Sequence, residues 1–173
     1  MNHISELAQL GTSTWLDDLS RERLVSGNLE EIISTKSIVG VTTNPAIFAA
    51  AMTNGTAYDA ELSTLKEAKA SADEAVYALA IEDVKNACDL FADIYSSTNG
   101  ADGRVSIEVD PRISDDANAT LEQARELWSK VDRPNVMIKI PATTASLPAI
   151  EDALAEGISV NVTLIFSVDR YRD

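Results

Sequence analysis

Apolar positions along the chain follow two alternating patterns, and that alternation predicts the architecture. Short segments with every second position apolar read as strands, because successive side chains on a strand point to opposite faces. These segments are residues 13–17, 38–44, 104–109, 135–141 and 159–165. Between them, apolar residues recur at three- and four-residue spacing, as along one face of a helix. Helical segments are expected over residues 4–11, 18–24, 28–34, 46–51, 56–69, 72–95, 117–131 and 146–155. Asn28 with Glu31 three residues later resembles a capping box. Pro45 suits the first turn of a helix. Residues 99–103 are turn-rich, Asp110-Pro111 ends the third strand, Gly157 follows a helix end, and Ser167 caps one more helix. No repeat, low-complexity tract or linker interrupts the order. Strand–helix alternation throughout predicts an α/β protein with parallel strands, with residues 1–173 forming a single domain.

The polar residues of the strands refine this picture. Asp17, Thr42 and Asn44, Glu108, Lys139, and Asn161 and Thr163 all lie toward the C-terminal ends of their strands. Parallel sheets normally have both faces covered, so scattered solvent-facing residues do not account for the pattern. In a (β/α)8 barrel, helices cover the outside and inward-pointing residues at the strand C-termini form the active site. The barrel fits better than a doubly wound nucleotide-binding sheet, which would want a glycine-rich first turn.

Lys139 is the centre of the pattern. On its strand Val136, Ile138 and Ile140 share one face, and Met137 and Lys139 the other. An edge lysine facing water is one reading. The other is a reactive amine in an enclosed site, where desolvation lowers its pKa as Schiff-base chemistry needs. The companions are equally open when taken singly. Asp17 could cap the next segment, Asn44 could serve the turn before Pro45, and Glu108 could be a solvated strand charge. Asn161 and Thr163 could hydrogen-bond in an interior that meets no substrate. Taken together, two carboxylates and a lysine ringed by small hydrogen-bonding groups look like a catalytic site.

Composition narrows the chemistry. The chain has 173 residues, 28 acidic and 14 basic, and a net charge of −14. That charge argues against nucleic acid and anionic membranes as partners. The single cysteine, Cys88, falls on the apolar face of a helical segment and reads as a core residue. With that cysteine and one histidine, His3, a zinc site or a Cys–His catalytic pair has almost no raw material, so no metal is expected. The first residues lack the basic and apolar regions of a signal peptide, and no apolar run approaches the length of a membrane helix. A cytoplasmic protein is expected.

Five stretches give these residues a context. They are Trp15-Leu-Asp-Asp18, Gly40-Val-Thr-Thr-Asn-Pro45, Ser106-Ile-Glu-Val-Asp110 with Arg112-Ile-Ser114, Met137-Ile-Lys-Ile-Pro-Ala-Thr143, and Asn161-Val-Thr-Leu-Ile-Phe-Ser167. In this order they resemble the transaldolase family. The run beginning at Trp15 is similar to the family's longer bacterial branch. The resemblance implies a transaldolase-type barrel of the pentose phosphate pathway, acting on sugar phosphates without metal or organic cofactor. It implies that Lys139 forms a Schiff base with a ketose phosphate and that Asp17 takes the C4 hydroxyl proton. It implies that Glu108 works through a water held in part by Thr163, and that Asn44 and Asn161 bind the dihydroxyacetone unit.

The chain offers five strands where such a barrel needs about eight. The expectation is therefore that a C-terminal remainder or a second chain completes it, and that the phosphate-binding residues lie beyond Asp173. Arg170 and Arg172 are positive charges that no motif assigns to a phosphate. Two other readings stay open: a fructose 6-phosphate aldolase-like enzyme, and a catalytically inactive binding or assembly module.

Overall fold

A computed structural model describes residues 3–53 and 56–173. Five strands form one parallel sheet: β1 (Trp15–Leu16), β2 (Gly40–Thr42), β3 (Arg104–Glu108), β4 (Val136–Pro141) and β5 (Val160–Thr163). Their spatial order is β1-β2-β3-β4-β5, so each strand lies beside its neighbour in sequence. Singly wound order with helical crossovers is the arrangement of a (β/α)8 barrel, and five consecutive units of it are present.

The β4 pattern explains why the sheet has an inside and an outside. Val136, Ile138 and Ile140 are fully buried in the core cluster. There they meet α6 (Ala72–Leu90) and α8 (Ala117–Val131), whose apolar sides supply Val84, Ala87, Leu121, Ala124 and Leu127. Burying one such aliphatic side chain contributes about 1.5–3 kcal/mol. Met137 and Lys139 turn to the opposite face and stay only partly covered.

Local signals act largely where the sequence places them. α6 starts with a full capping box: Ser71 Oγ accepts from the Glu74 amide at 3.3 Å, and Glu74 accepts from the Ser71 amide at 2.8 Å. α4 (Pro45–Thr53) opens on its proline, α9 (Leu147–Ala155) ends just before Gly157, and Ser167 caps α10 (Val168–Arg172). The first helix, α1, is His3–Gln9, and α5 is Asp59–Glu67. Trp128 packs on the core from α8.

Two expectations need correction. The capping box at Asn28 does not form. Gly27, in a left-handed conformation at φ 76°, is the N-cap of α3 (Asn28–Lys36), and the Asn28 side chain instead accepts from Arg23. The long helix over 72–95 is broken at Phe91 and resumes as α7 (Ala92–Ser97). A one-residue break leaves the apolar spacing intact, so periodicity does not register it. Gly103 lies against this turn: a Cβ there would fall 2.3 Å from the Tyr95 nitrogen. Close contact also explains Gly40, where a Cβ would fall 2.5 Å from the Trp15 ring across the β1–β2 pair.

Candidate active site

Strand register brings the inward residues together. Glu108 pairs with Lys139 across β3–β4, and Lys139 with Asn161 across β4–β5. The three side chains therefore form one row on the inner face. Thr42 and Ser106 form the row before it, and Thr163 lies one step further along β5.

Within that row Lys139 Nζ stands 3.3 Å from Glu108 Oε2, with only 11% and 14% of the two side chains exposed. This excludes the reading of Lys139 as a solvated edge charge. Lys139 also donates to the main-chain carbonyl of Thr43 at 2.8 Å. That carbonyl is fixed from behind, because the fully buried Thr43 hydroxyl donates to the Ser106 carbonyl at 2.8 Å. Asn161 donates from Nδ2 to Ser106 Oγ at 2.9 Å, which sets its amide plane. Burial pushes the Glu108 carboxyl above the usual carboxylate range. The Lys139 ammonium and its hydrogen bond pull the other way, and the Asp17 charge adds to the rise.

Thr163 Oγ1 is buried and has no hydrogen-bonding partner among the described residues. A buried hydroxyl is normally paired, and this one lies two residues along the same face from Asn161. Asn44 lies beyond the end of β2, where its Oδ1 accepts from the Ile47 amide at 2.9 Å and opens α4. The turn role is therefore real. Asp17 follows the two-residue β1 and is exposed, at the mouth of the inner face. A cleft of about 270 Å3 lies beside Glu108 and Asn44, walled by Phe48, Val76, Tyr77 and Ile107. Tyr77 donates to the Glu108 carbonyl at 3.4 Å.

Sequence reasoning missed Thr43 and Ser106 as site residues. Ser106 was open to discovery, since it lies two positions before Glu108 on the same strand face. Thr43 acts on Lys139 through its carbonyl, which leaves no side-chain signal. Both arginines near the C-terminus have neighbours on their own helix turn or on the β4–α9 loop. Arg170 meets Asp173 at 3.2 Å and Thr144 at 3.1 Å, and Arg172 meets Asp169 at 3.5 Å. Among the described residues, no cluster of three or more His, Cys, Asp or Glu could hold a metal ion, and no helix is long and apolar enough to cross a membrane.

The sequence profile of the Transaldolase/Fructose-6-phosphate aldolase family matches residues 14–173. This chain belongs to that family. It is 58% identical over 170 residues to the transaldolase of Mycolicibacterium smegmatis, covering 98% of this chain and 46% of that protein. It is 57% identical over 167 residues to the transaldolase of Kocuria rhizophila, covering 96% of this chain and 45% of the relative. The transaldolase of Mycobacterium tuberculosis is 56% identical over 171 residues, 99% of this chain and 46% of its own length. The chain thus spans just under half the length of these relatives. In this chain the inner-face lysine of β4 lies between a carboxylate on β3 and an amide on β5.

Proposed function

We propose that this chain supplies the chemical centre of a cytoplasmic transaldolase, which moves a dihydroxyacetone unit between sugar phosphates through a Schiff base on Lys139. The observation that carries the reading is the enclosed 3.3 Å pair of Lys139 and Glu108, with the orphaned Thr163 hydroxyl on the same face.

The amine of Lys139 attacks the C2 carbonyl of a ketose phosphate and gives a carbinolamine. Loss of water then gives the iminium. Glu108 exchanges protons with a water that Thr163 helps to hold. A carboxyl lifted by burial toward neutrality suits that exchange, which is worth roughly 10²–10⁴-fold in rate. Asp17 removes the C4 hydroxyl proton, the C3–C4 bond breaks, and the electron pair enters the iminium to form an enamine. The aldose phosphate leaves, while Asn161, held by Ser106, and Asn44 keep the three-carbon unit in place. Addition of the enamine to an acceptor aldose phosphate, then hydrolysis, returns the lysine. In the pentose phosphate pathway this interconverts sedoheptulose 7-phosphate plus glyceraldehyde 3-phosphate with erythrose 4-phosphate plus fructose 6-phosphate. The reading includes completion of the barrel by further strand–helix units, from the same polypeptide or a second chain, which bring the phosphate-binding residues.

The family's name covers a second activity, cleavage of fructose 6-phosphate without transfer. Acceptor dependence separates the two. In a barrel of the relatives' length carrying this chain, transaldolase action predicts that fructose 6-phosphate turnover requires erythrose 4-phosphate. It also predicts that Lys139→Arg abolishes turnover. Acceptor-independent release of dihydroxyacetone at the same rate would establish the aldolase instead, and full activity of Lys139→Arg would remove both.

A further inference from the structure

Asp83 is a fully buried acid on the apolar side of α6, distant in sequence from every residue assigned a chemical role above. Arg21 and Tyr58 enclose it. Arg21 Nε donates to one carboxylate oxygen and the Tyr58 hydroxyl donates to the other at 2.7 Å. The same hydroxyl accepts from the Arg21 amide at 2.8 Å, and the guanidinium lies 5.1 Å over the Tyr58 ring. The outer edge of the guanidinium is clamped by Glu61 at 2.8 and 3.1 Å. Burial pushes Asp83 above the ordinary carboxylate range, and it pushes the Tyr58 hydroxyl up as well, so the tyrosine stays a donor.

Burying such a charged pair is a poor way to gain stability, because desolvation offsets most of the attraction. Its location suggests a different use. Arg21 is the first residue of α2 (Arg21–Val25), four positions after Asp17. β1, which leads to Asp17, is only 2 residues long. The main chain therefore does little to fix the turn at residues 17–20, and side chains take over. Leu19 is fully buried, Asp18 is held by Arg23, and Ser20 caps α2. The Arg21 cluster ties the far end of that turn to α5 and α6 at once.

On the functional reading above, we propose that Arg21, Asp83 and Tyr58 are positioning residues that fix Asp17 for carbon–carbon bond cleavage. They touch neither Lys139 nor Glu108 among the described residues. Their loss should therefore spare Schiff-base formation and slow the step that needs Asp17.

The test separates those two steps, in a barrel of the relatives' length carrying this chain, with fructose 6-phosphate as the probe. Adduct formation is read by borohydride trapping at Lys139, and cleavage by single-turnover release of glyceraldehyde 3-phosphate. Tyr58→Phe and Arg21→Lys should each slow cleavage by about 10- to 100-fold, the cost of a displacement near 1 Å, and leave the trapping rate within about 2-fold. Adding Tyr58→Phe to Asp17→Ala should slow cleavage no further, because the first residue acts through the second. Trapping and cleavage that fall together, no change in cleavage, or full additivity with Asp17→Ala would overturn the proposal while the functional reading stands. An unsubstituted protein that traps no adduct would overturn the functional reading, and this inference with it.

Discussion

Thr163→Val is the substitution that most clearly separates chemistry from stability in this chain. It replaces the Thr163 hydroxyl with a methyl group and leaves the branched shape on β5. A buried polar group without a partner costs about 1–3 kcal/mol. The Thr163 hydroxyl is buried and bonds to no described protein group, so the folded chain does not depend on it. The valine variant should therefore be as stable as the unsubstituted chain, or more stable by up to about 2 kcal/mol. For a chain of this size, 1 kcal/mol shifts Tm by about 2–4 °C. Urea unfolding followed by tryptophan fluorescence measures the stability. In the completed barrel the same variant should slow Schiff-base formation by at least about 10-fold, since Glu108 loses help in holding its water. A loss of stability above about 1 kcal/mol would refute the reasoning. It would mean that the hydroxyl has a structural partner and was never set aside for a reacting water.

Other consequences can be measured directly. Gly40→Ala places a Cβ against the Trp15 ring and should destabilise the chain by about 1–3 kcal/mol in urea, with Trp15→Leu restoring much of the loss. The Cys88 thiol is pushed by burial from an ordinary 9.0 up to about 12. Above pH 9 the unfolded chain therefore releases a proton that the folded chain keeps, and stability falls by about 1.4 kcal/mol per pH unit from this group. Cys88→Ala should flatten the slope between pH 9 and 11 by that amount, and iodoacetamide at pH 8 should leave folded Cys88 unmodified. By itself, the 173-residue chain should show little or no transaldolase turnover and should self-associate with rising concentration, because among the described residues β1 and β5 each have one edge without a strand partner. Turnover by an isolated monomer at the rate of a completed barrel would contradict this.

Much of the fold was legible because a strand with one buried face announces itself by alternation. β4 is the clear case: Val136, Ile138 and Ile140 against Met137 and Lys139 marked both of its faces. β1 was legible only in outline, since two paired residues leave almost no period to read. The break at Phe91 was invisible, and the Asn28 cap was misread because Arg23 takes that side chain. At the site, same-face spacing identified which residues could meet but not their partners. The Lys139–Glu108 contact comes from register between strands, and register depends on the whole sheet. Asp83 did leave a trace, as an acid between Ala80 and Val84 on an apolar face. The sequence gives no sign that Arg21 and Tyr58, 62 and 25 residues away, would close over it.

The central claim is that Lys139 is the nucleophile, enclosed against Glu108 and ready to form an iminium with a ketose phosphate. The most direct test is to incubate a barrel of the relatives' length carrying this chain with fructose 6-phosphate, add sodium borohydride, and map the modified peptide by mass spectrometry. The account predicts a single reduced sugar-derived adduct on Lys139, absent in Lys139→Met and formed more slowly in Glu108→Gln. An adduct on another lysine, or none in a folded protein that turns over its substrate, would contradict it.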